Sequence, residues 1–186
     1  MKEKKIIEFR NGIFSLHTRR FGTVAEIMIK RLYGLEESGT LAFDKKEKTS
    51  NKRIEIKFST VLKENEKKIS EDNVIDQCLK ANLSNRAMSS ADIKDNSFDC
   101  NIQQVKRKEF DILYYGLFFT DIIEIYQISS DKVIECPKYS DKQHRGNKGE
   151  GQFHLNKSTI EWHRKKCLKK TLTYDELYKL FNAHKK

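Results

Sequence analysis

A short stretch around residue 55 alternates strictly between apolar and polar side chains. Within residues 53–59, isoleucine and phenylalanine alternate with polar residues that include Glu55 and Lys57. In a β-strand successive side chains point to opposite faces, so Glu55 and Lys57 are expected to project from one face. A carboxylate and an ammonium held side by side, with Asp44 a few residues upstream, could bind a divalent cation and activate water. These three side chains are the smallest set of groups that could hydrolyse a phosphodiester with a metal ion.

Magnesium is the cation that suits these ligands. Mg²⁺ prefers oxygen ligands and is usually held by one or two carboxylates together with substrate phosphate and water. Asp44 and Glu55 would supply the carboxylates, and the backbone carbonyl of Ile56 would supply a third oxygen. Lys57 would assist the attacking water or stabilise charge in the transition state. A Glu-x-Lys triplet is common, so a solvated amphipathic strand with Glu and Lys on its wet face remains the alternative.

The composition favours a polyanionic partner. The 186 residues include 37 Lys and Arg against 27 Asp and Glu, which gives a net charge of +10. Such a surplus is typical of proteins that bind nucleic acid and, less often, an anionic membrane surface; a merely soluble basic protein is the alternative. With 11 Phe and 7 Tyr the chain has enough large apolar side chains to fold, and we expect a single domain over residues 1–186.

No feature of the sequence indicates a membrane or an oxidising compartment. No apolar run approaches the roughly 20 residues that a membrane span requires, and the first residues lack the apolar core of a secretory signal. The four cysteines are widely spaced without a Cys-x-x-Cys pair, which is typical of reduced thiols. We therefore expect a cytoplasmic protein with no membrane partner.

The first half of the chain predicts helices followed by a hairpin. Residues 3–16 are helical in pattern, with a break at Asn11-Gly12, and Thr23-Val-Ala-Glu26 has the spacing of a capping box that opens a helix ended by Gly34. A strand over 40–44, an exposed loop over 45–52 and a strand over 53–60 would then form a hairpin.

The second half alternates one helix, several strands and a final helix. Residues 70–72 open a helix whose apolar face includes Val74, Ile75 and Leu79. Strands are predicted over 98–106, 110–119 and 121–128, the second buried on both faces and the last two forming a hairpin. A glycine-containing basic loop over 143–152, a strand over 153–155 and a helix opened by Thr173-Tyr-Asp-Glu176 complete the chain. This order predicts a mixed α/β fold.

Together these residues resemble the PD-(D/E)xK nuclease superfamily, the core of most type II restriction endonucleases. The segments that carry the resemblance are Phe43-Asp44, Ile54-Glu55-Ile56-Lys57-Phe58-Ser59, Gln103-Gln104-Val105-Lys106 and Phe110-Asp111-Ile112-Leu113-Tyr114-Tyr115. The resemblance implies a restriction-endonuclease-like α/β core, a central mixed β-sheet flanked by helices, over about residues 20–128. Residues 129–186 would be a C-terminal extension with a basic loop and a terminal helix. The proline that often precedes the family's aspartate is replaced by Phe43.

The resemblance also assigns roles to individual residues. Asp44, Glu55 and Lys57 would be catalytic, and a further glutamate on the preceding helix maps onto Glu26. Glu26 has two competing interpretations, because its place in the capping box explains it without any metal.

Contacts with DNA are predicted at two further places. Gln104 and Lys106 follow the family's pattern of polar side chains on a core strand near the scissile phosphate; solvated residues of an edge strand are the alternative. His144, Arg145 and Lys148 lie in the glycine-containing loop, which could approach the DNA backbone closely and neutralise phosphates. An ordinary basic loop is the other interpretation.

The size and basic character are similar to the small catalytic subunit of heterodimeric type IIS restriction endonucleases. The resemblance implies Mg²⁺-dependent cleavage of one strand of double-stranded DNA, leaving a 5′-phosphate, while a large partner subunit recognises the site and nicks the other strand. Two alternatives stay open: a self-sufficient homodimeric type II restriction endonuclease, and a basic DNA-binding protein without catalysis.

Overall fold

The computed structural model describes residues 2–64, 68–80, 86–143 and 148–183, and it contains a central mixed sheet. The strands in chain order are β1 (Glu36–Glu37), β2 (Lys45–Lys46), β3 (Arg53–Thr60), β4 (Asp99–Val105), β5 (Ile112–Phe118), β6 (Ile122–Ser129), β7 (Gly151–Asn156) and β8 (Leu168–Thr173). Six of them form the central sheet in the order β1-β2-β3-β5-β6-β8, in which β3 and β5 are parallel and the other neighbours antiparallel. The predicted α/β class with a mixed central sheet is confirmed.

Helices accompany the sheet at both ends of the chain. They are α1 (Lys2–Phe14), α2 (Thr18–Tyr33), α3 (Val74–Lys80), α4 (Ile160–Cys167) and α5 (Tyr174–Asn182), with short 3₁₀ turns at Asp92–Lys94 and Val133–Glu135. None of the helices among the described residues has the length and apolar composition needed to cross a membrane.

Two helix ends lie where the sequence predicted them, the C-terminus of α2 and the N-terminus of α5. Gly34 adopts a left-handed conformation with φ of 64° after α2 and donates its N–H to the carbonyl of Lys30, as a glycine stop should. The Thr173 and Glu176 capping box opens α5 as predicted. The predicted break at Asn11-Gly12 is wrong, because α1 continues through both residues to Phe14.

The central sheet is covered on both faces. One core cluster packs β3, β5 and β6 against α1, α2 and α5, and includes Ile54, Ile56 and Phe118. The opposite cluster packs Leu113, Tyr115 and other residues of the same strands against β4, β7 and α4. Strand β5 is therefore buried on both faces, as its continuous apolar sequence predicted.

Strands β4 and β7 form a separate antiparallel pair rather than joining the central sheet. Both strands were predicted, but the sequence did not show that they pair with each other outside the central sheet. The C-terminal third is also integral to the fold, because β8 is the edge strand beside β6 and α5 packs in the helical layer. The core predicted for residues 20–128 therefore draws on residues from both flanks.

Two predicted elements differ from the structure. Residues 40–44 are not a strand: the strand that pairs with β3 is the two-residue β2, which lies in the segment predicted to be loop. Helix α3 begins at Val74 rather than near Ser70, and its Val74, Ile75 and Leu79 side chains are exposed instead of packed.

Candidate functional site

Glu55 and Lys57 lie on one face of β3, as the alternation predicted. Leu113 is directly opposite Glu55 in the β3–β5 ladder and belongs to the core beneath β4 and β7, so this face is covered by the second sheet. The Glu55 side chain is only 11% exposed and that of Lys57 28% exposed, and Lys57 Nζ is 2.7 Å from Glu55 Oε1. A solvated strand surface does not describe Glu55, because its carboxylate is buried.

Asp44 lies beside the same part of β3. Its backbone N–H donates to the carbonyl of Ile54 at 3.0 Å. Its carboxylate oxygen Oδ2 accepts a hydrogen bond from the backbone N–H of Ile56 at 2.7 Å. The antiparallel segment that precedes β3 therefore holds the Asp44 carboxylate against the edge of β3, although this segment is shorter as a strand than predicted.

The carbonyl of Ile56 belongs to the same edge. In a strand, the N–H and C=O of one residue point to the same side, and residues two apart share that side. The carbonyl of Ile54 and the N–H of Ile56 both bond to Asp44, so the carbonyl of Ile56 is directed toward the Asp44 side of β3 as well. The Asp44 carboxylate and the Ile56 carbonyl thus lie on the same side of β3, and Asp44 is near enough to Glu55 to raise its pKa.

Burial changes the protonation of both carboxylates. Burial raises the pKa of Glu55 to about 7, against the opposing effect of Lys57 and with a further upward contribution from Asp44. The pKa of Asp44 is also raised, chiefly by burial, while its hydrogen bond from Ile56 and the charge of Lys57 act in the opposite direction. Burial therefore favours the neutral form of both carboxyl groups, and the charge of Lys57 does not fully offset it.

Glu26 is not a helix cap. Helix α2 begins five residues before Thr23, and Thr23 Oγ1 donates within the helix to the carbonyl of Arg19. The Glu26 carboxylate instead accepts a hydrogen bond from Lys45 Nζ at 3.0 Å. The capping interpretation is wrong because the Ser/Thr-x-x-Glu spacing also occurs inside helices. Glu26 lies close enough to raise the pKa of Asp44, and its role in a metal site stays a prediction.

Two charged residues near the site were not anticipated. Lys45, next to Asp44, is buried and pairs with both Glu26 and Glu37 at 3.0 Å. The sequence assigned Lys45 to an exposed loop, and no local signal identifies its two distant partners. Glu109 lies near enough to raise the pKa of Glu55. Its position depends on the loop before β5, which sequence patterns do not define.

The residues present fit magnesium in the chemistry of their donors. Among the described residues no group of three or more His, Cys, Asp or Glu side chains converges to hold a metal ion. Mg²⁺ does not require such a group, since one or two carboxylates with water and substrate phosphate are its usual protein ligands. Asp44, Glu55 and the Ile56 carbonyl match that smaller set.

The predicted DNA contacts fall outside the central sheet. Gln104 lies at a bulge in β4, where the register against β7 shifts, and it has a φ of 56°. Both Gln103 and Gln104 are exposed there, so a strict alternation does not continue to Lys106. Gln104 lies on β4, whose buried residues belong to a core cluster, and its contact with DNA stays a prediction.

Lys106 and Lys148 line a common groove of about 660 Å³. Acidic side chains line it too: Lys106 Nζ is 3.7 Å from Glu109 and 3.9 Å from Glu150. The groove is therefore mixed in charge rather than uniformly basic. His144 and Arg145 lie outside the described residues.

No protein-family model matches this sequence, and a search of curated proteins finds no significant relative. Functional inference therefore depends on the fold and on the geometry around Glu55.

Proposed function

We propose that this chain is a Mg²⁺-dependent DNA endonuclease of the PD-(D/E)xK type. The observation that carries the proposal is the buried Glu55, which pairs with Lys57 beside the Asp44 carboxylate on a strand of a mixed sheet. A surface Glu-x-Lys triplet would show none of this burial. Groups with strongly perturbed pKa values cluster at functional sites, and Glu55 is such a group.

The arrangement around β3 also supports a restriction-endonuclease-like core. The resemblance implies an acidic residue and a Glu-x-Lys triplet on adjacent antiparallel segments, with a helix before them. Asp44 precedes β2, Glu55 and Lys57 lie on β3, and α2 packs beneath β3. The parallel strand β5 then follows on the far side of β3.

In the proposed mechanism Asp44, Glu55 and the Ile56 carbonyl would hold Mg²⁺. When bound, the cation supplies Lewis-acid polarisation of the phosphate and favours ionisation of water. Glu55 must be deprotonated to bind it, which its pKa of about 7 allows at neutral and higher pH. Lys57 would donate a hydrogen bond to an oxygen that gains negative charge in the transition state. Cleavage would leave a 5′-phosphate on the product strand.

We further propose that the chain is the small subunit of a heterodimeric type IIS restriction endonuclease. Apart from α3, β1 and β2, the described helices and strands contribute to the two core clusters, so little of the described chain is left for a separate DNA-reading module. Site recognition would then reside in a large partner subunit. A homodimeric type II restriction endonuclease and a DNA-binding protein without catalysis remain the alternatives.

The test is cleavage of supercoiled plasmid with Mg²⁺, using the chain alone and together with polypeptides encoded by neighbouring reading frames. We expect Glu55→Gln and Lys57→Ala each to lower the cleavage rate at least about 100-fold, because the first removes a ligand of the cation and the second a donor to the transition state. Glu36→Gln, an exposed glutamate on β1, is the matched control and should cleave normally.

The outcomes separate the three hypotheses. Cleavage that survives both substitutions would overturn the catalytic proposal and favour a DNA-binding protein. Cleavage at a defined site by the purified chain alone would favour the homodimeric enzyme over the heterodimeric one.

A further inference from the structure

A cleft of about 580 Å³ lies where β5 begins and β6 ends, beneath the C-terminal turn of α4. Three lysines line it and are here named the cleft lysines: Lys52, Lys132 and Lys166. Trp162 lines it from α4, with Ile112 and Ile128 below. An aromatic ring and three ammonium groups thus share one concave surface.

The cleft favours an anionic ligand. Within the described part of the chain, none of the cleft lysines has a carboxylate within 4 Å of its Nζ, although the charge of Lys52 helps to lower the pKa of Asp111. The Asp111 carboxylate at the cleft wall is already bound by Arg53, with Arg53 Nη2 2.8 Å from Asp111 Oδ1. Glu135 is the other acidic residue that lines it, and it is exposed. Positive charge therefore exceeds uncompensated negative charge.

The lysines beyond the cleft extend this charge. Lys165, Lys169 and Lys170 are exposed and adjoin Lys166 along the end of α4 and β8. Lysines on an edge strand such as β8 also discourage pairing with other strands, which explains Lys169 and Lys170 without a ligand. The cleft lysines are not on β8, so edge protection does not account for them.

Trp162 gives the cleft an aromatic wall. Its indole packs edge-on against the buried His163 ring at 5.1 Å and is half-buried against the core. Sites for single-stranded nucleic acid combine basic grooves with aromatic side chains on which unpaired bases stack. The cleft has both components.

The cleft is also close to Glu55. Ile112, at its floor, is followed by Leu113, the ladder partner of Glu55. One residue along a strand is about 3.3 Å and one strand across is about 4.8 Å, so the two sites are neighbours on the sheet. A DNA strand seated in the cleft could continue past Glu55.

We infer that this cleft binds an unpaired nucleotide of the DNA strand next to the phosphate to be cut, with the base stacked on Trp162 and the phosphates beside the cleft lysines. This inference rests on the proposed nuclease function for the identity of the strand. It implies that the chain binds single-stranded DNA more tightly than duplex DNA of the same length.

The test uses the inactive Glu55→Gln chain without metal, so that binding is measured apart from cleavage. Trp162 is the chain's single tryptophan, so its fluorescence reports the cleft directly. We expect an eight-nucleotide oligo(dT) to quench this fluorescence and inorganic phosphate to leave it unchanged. By anisotropy of a labelled oligonucleotide, Trp162→Ala should weaken binding about tenfold and Trp162→Phe much less.

The exposed cleft lysines keep the test decisive if Trp162→Ala fails to fold. Lys132→Ala and Lys166→Ala should each weaken binding and reduce its salt dependence, whereas Lys179→Ala on α5 should do neither. Unchanged binding by both cleft variants, equal quenching by inorganic phosphate, or tighter binding of duplex DNA would each overturn the inference. If those variants bind normally while Glu55→Gln abolishes cleavage, the cleft inference fails and the nuclease function stands.

Discussion

Two buried glutamates on the same face of the central sheet have opposite environments. Glu55-Ile56-Lys57 lies on β3 and Glu124-Ile125-Tyr126 on β6, on either side of β5. In the ladders Glu55 is opposite Leu113 and Glu124 is opposite Leu117, and both leucines belong to the same core cluster. The two glutamates are 9% and 5% exposed, and each contacts the side chain two residues further on.

The two carboxylates differ in how far neighbouring side chains compensate their negative charge. Arg164 of α4 donates to the Glu124 carboxylate at 2.8 and 3.1 Å, and the Tyr126 hydroxyl donates to it as well. Glu55 has Lys57, but burial raises its pKa to about 7, and the nearby negative charges of Asp44 and Glu109 add to the effect. A glutamate with a structural role has its charge compensated within the fold. A bound cation, as proposed above, would supply the positive charge that Glu55 lacks.

The largest expected effect is a difference in unfolding free energy between Glu124→Gln and Glu55→Gln. Glu124→Gln leaves the partly buried Arg164 with only the exposed Glu161 as a counter-ion. Breaking a buried pair costs about 3–5 kcal/mol of unfolding free energy, and we expect a loss toward the lower end of that range. Glu55→Gln should leave the unfolding free energy at pH 8 unchanged or increase it, because it removes a poorly compensated buried charge. Urea denaturation of both variants measures the difference. Equal destabilisation by the two substitutions would show that the different surroundings of Glu55 and Glu124 do not affect stability.

The raised pKa of Glu55 should also make the unfolding free energy depend on pH. The folded-state pKa of Glu55 is raised from 4.5 to about 7, so the folded chain holds a proton that the unfolded chain releases between those values. Stability from this group therefore falls as pH rises through that window, by about 3 kcal/mol from linkage. Glu55→Gln should abolish this fall.

His163 acts in the opposite direction and must be separated from Glu55. Burial lowers its pKa from 6.5 to about 4, so the stability of its neutral form is lost as pH falls from about 6.5 to about 4. The two slopes largely cancel in the natural chain. The difference in unfolding free energy between the natural chain and Glu55→Gln, measured from pH 4.5 to 8, isolates Glu55. A flat difference would contradict its raised pKa.

Local patterns were sufficient for the strand that carries the site. The predicted strand 53–60 coincides with β3, because alternation of apolar and polar residues is a property of the strand itself. Both strands of the β5–β6 hairpin and the Thr173 cap of α5 were predicted for similar reasons. Asp44 was correctly expected beside β3, although the pairing strand begins one residue later.

The remaining features depend on distant parts of the chain. The Thr23 and Glu26 spacing predicts a cap, but only the start of α2 at Thr18 shows that Thr23 is inside the helix. The burial of Lys45 depends on Glu26 and Glu37, which tertiary structure brings to it. Which sheet β4 joins is decided by its pairing with β7, about fifty residues later in the chain.

The smallest expected effect concerns the cation itself. If Glu55 lacks a counter-charge that Mg²⁺ supplies, Mg²⁺ should stabilise the folded chain at pH 8, by about 1–3 kcal/mol at concentrations well above its dissociation constant. At pH 5.5 the stabilisation should be much smaller, because a proton on Glu55 competes with the metal. Thermal unfolding with and without Mg²⁺ at the two pH values measures this difference.

Matched substitutions connect that measurement to the two glutamates. Glu55→Gln and Asp44→Asn should each remove the stabilisation by Mg²⁺ at pH 8, since each deletes a carboxylate ligand. Glu124→Gln should lower the melting temperature yet keep the same shift with Mg²⁺, because its carboxylate is bound by Arg164 and Tyr126. A shift that survives in Glu55→Gln would mean that Mg²⁺ binds elsewhere. The uncompensated charge of Glu55 would then lower the stability of the fold without serving to bind Mg²⁺.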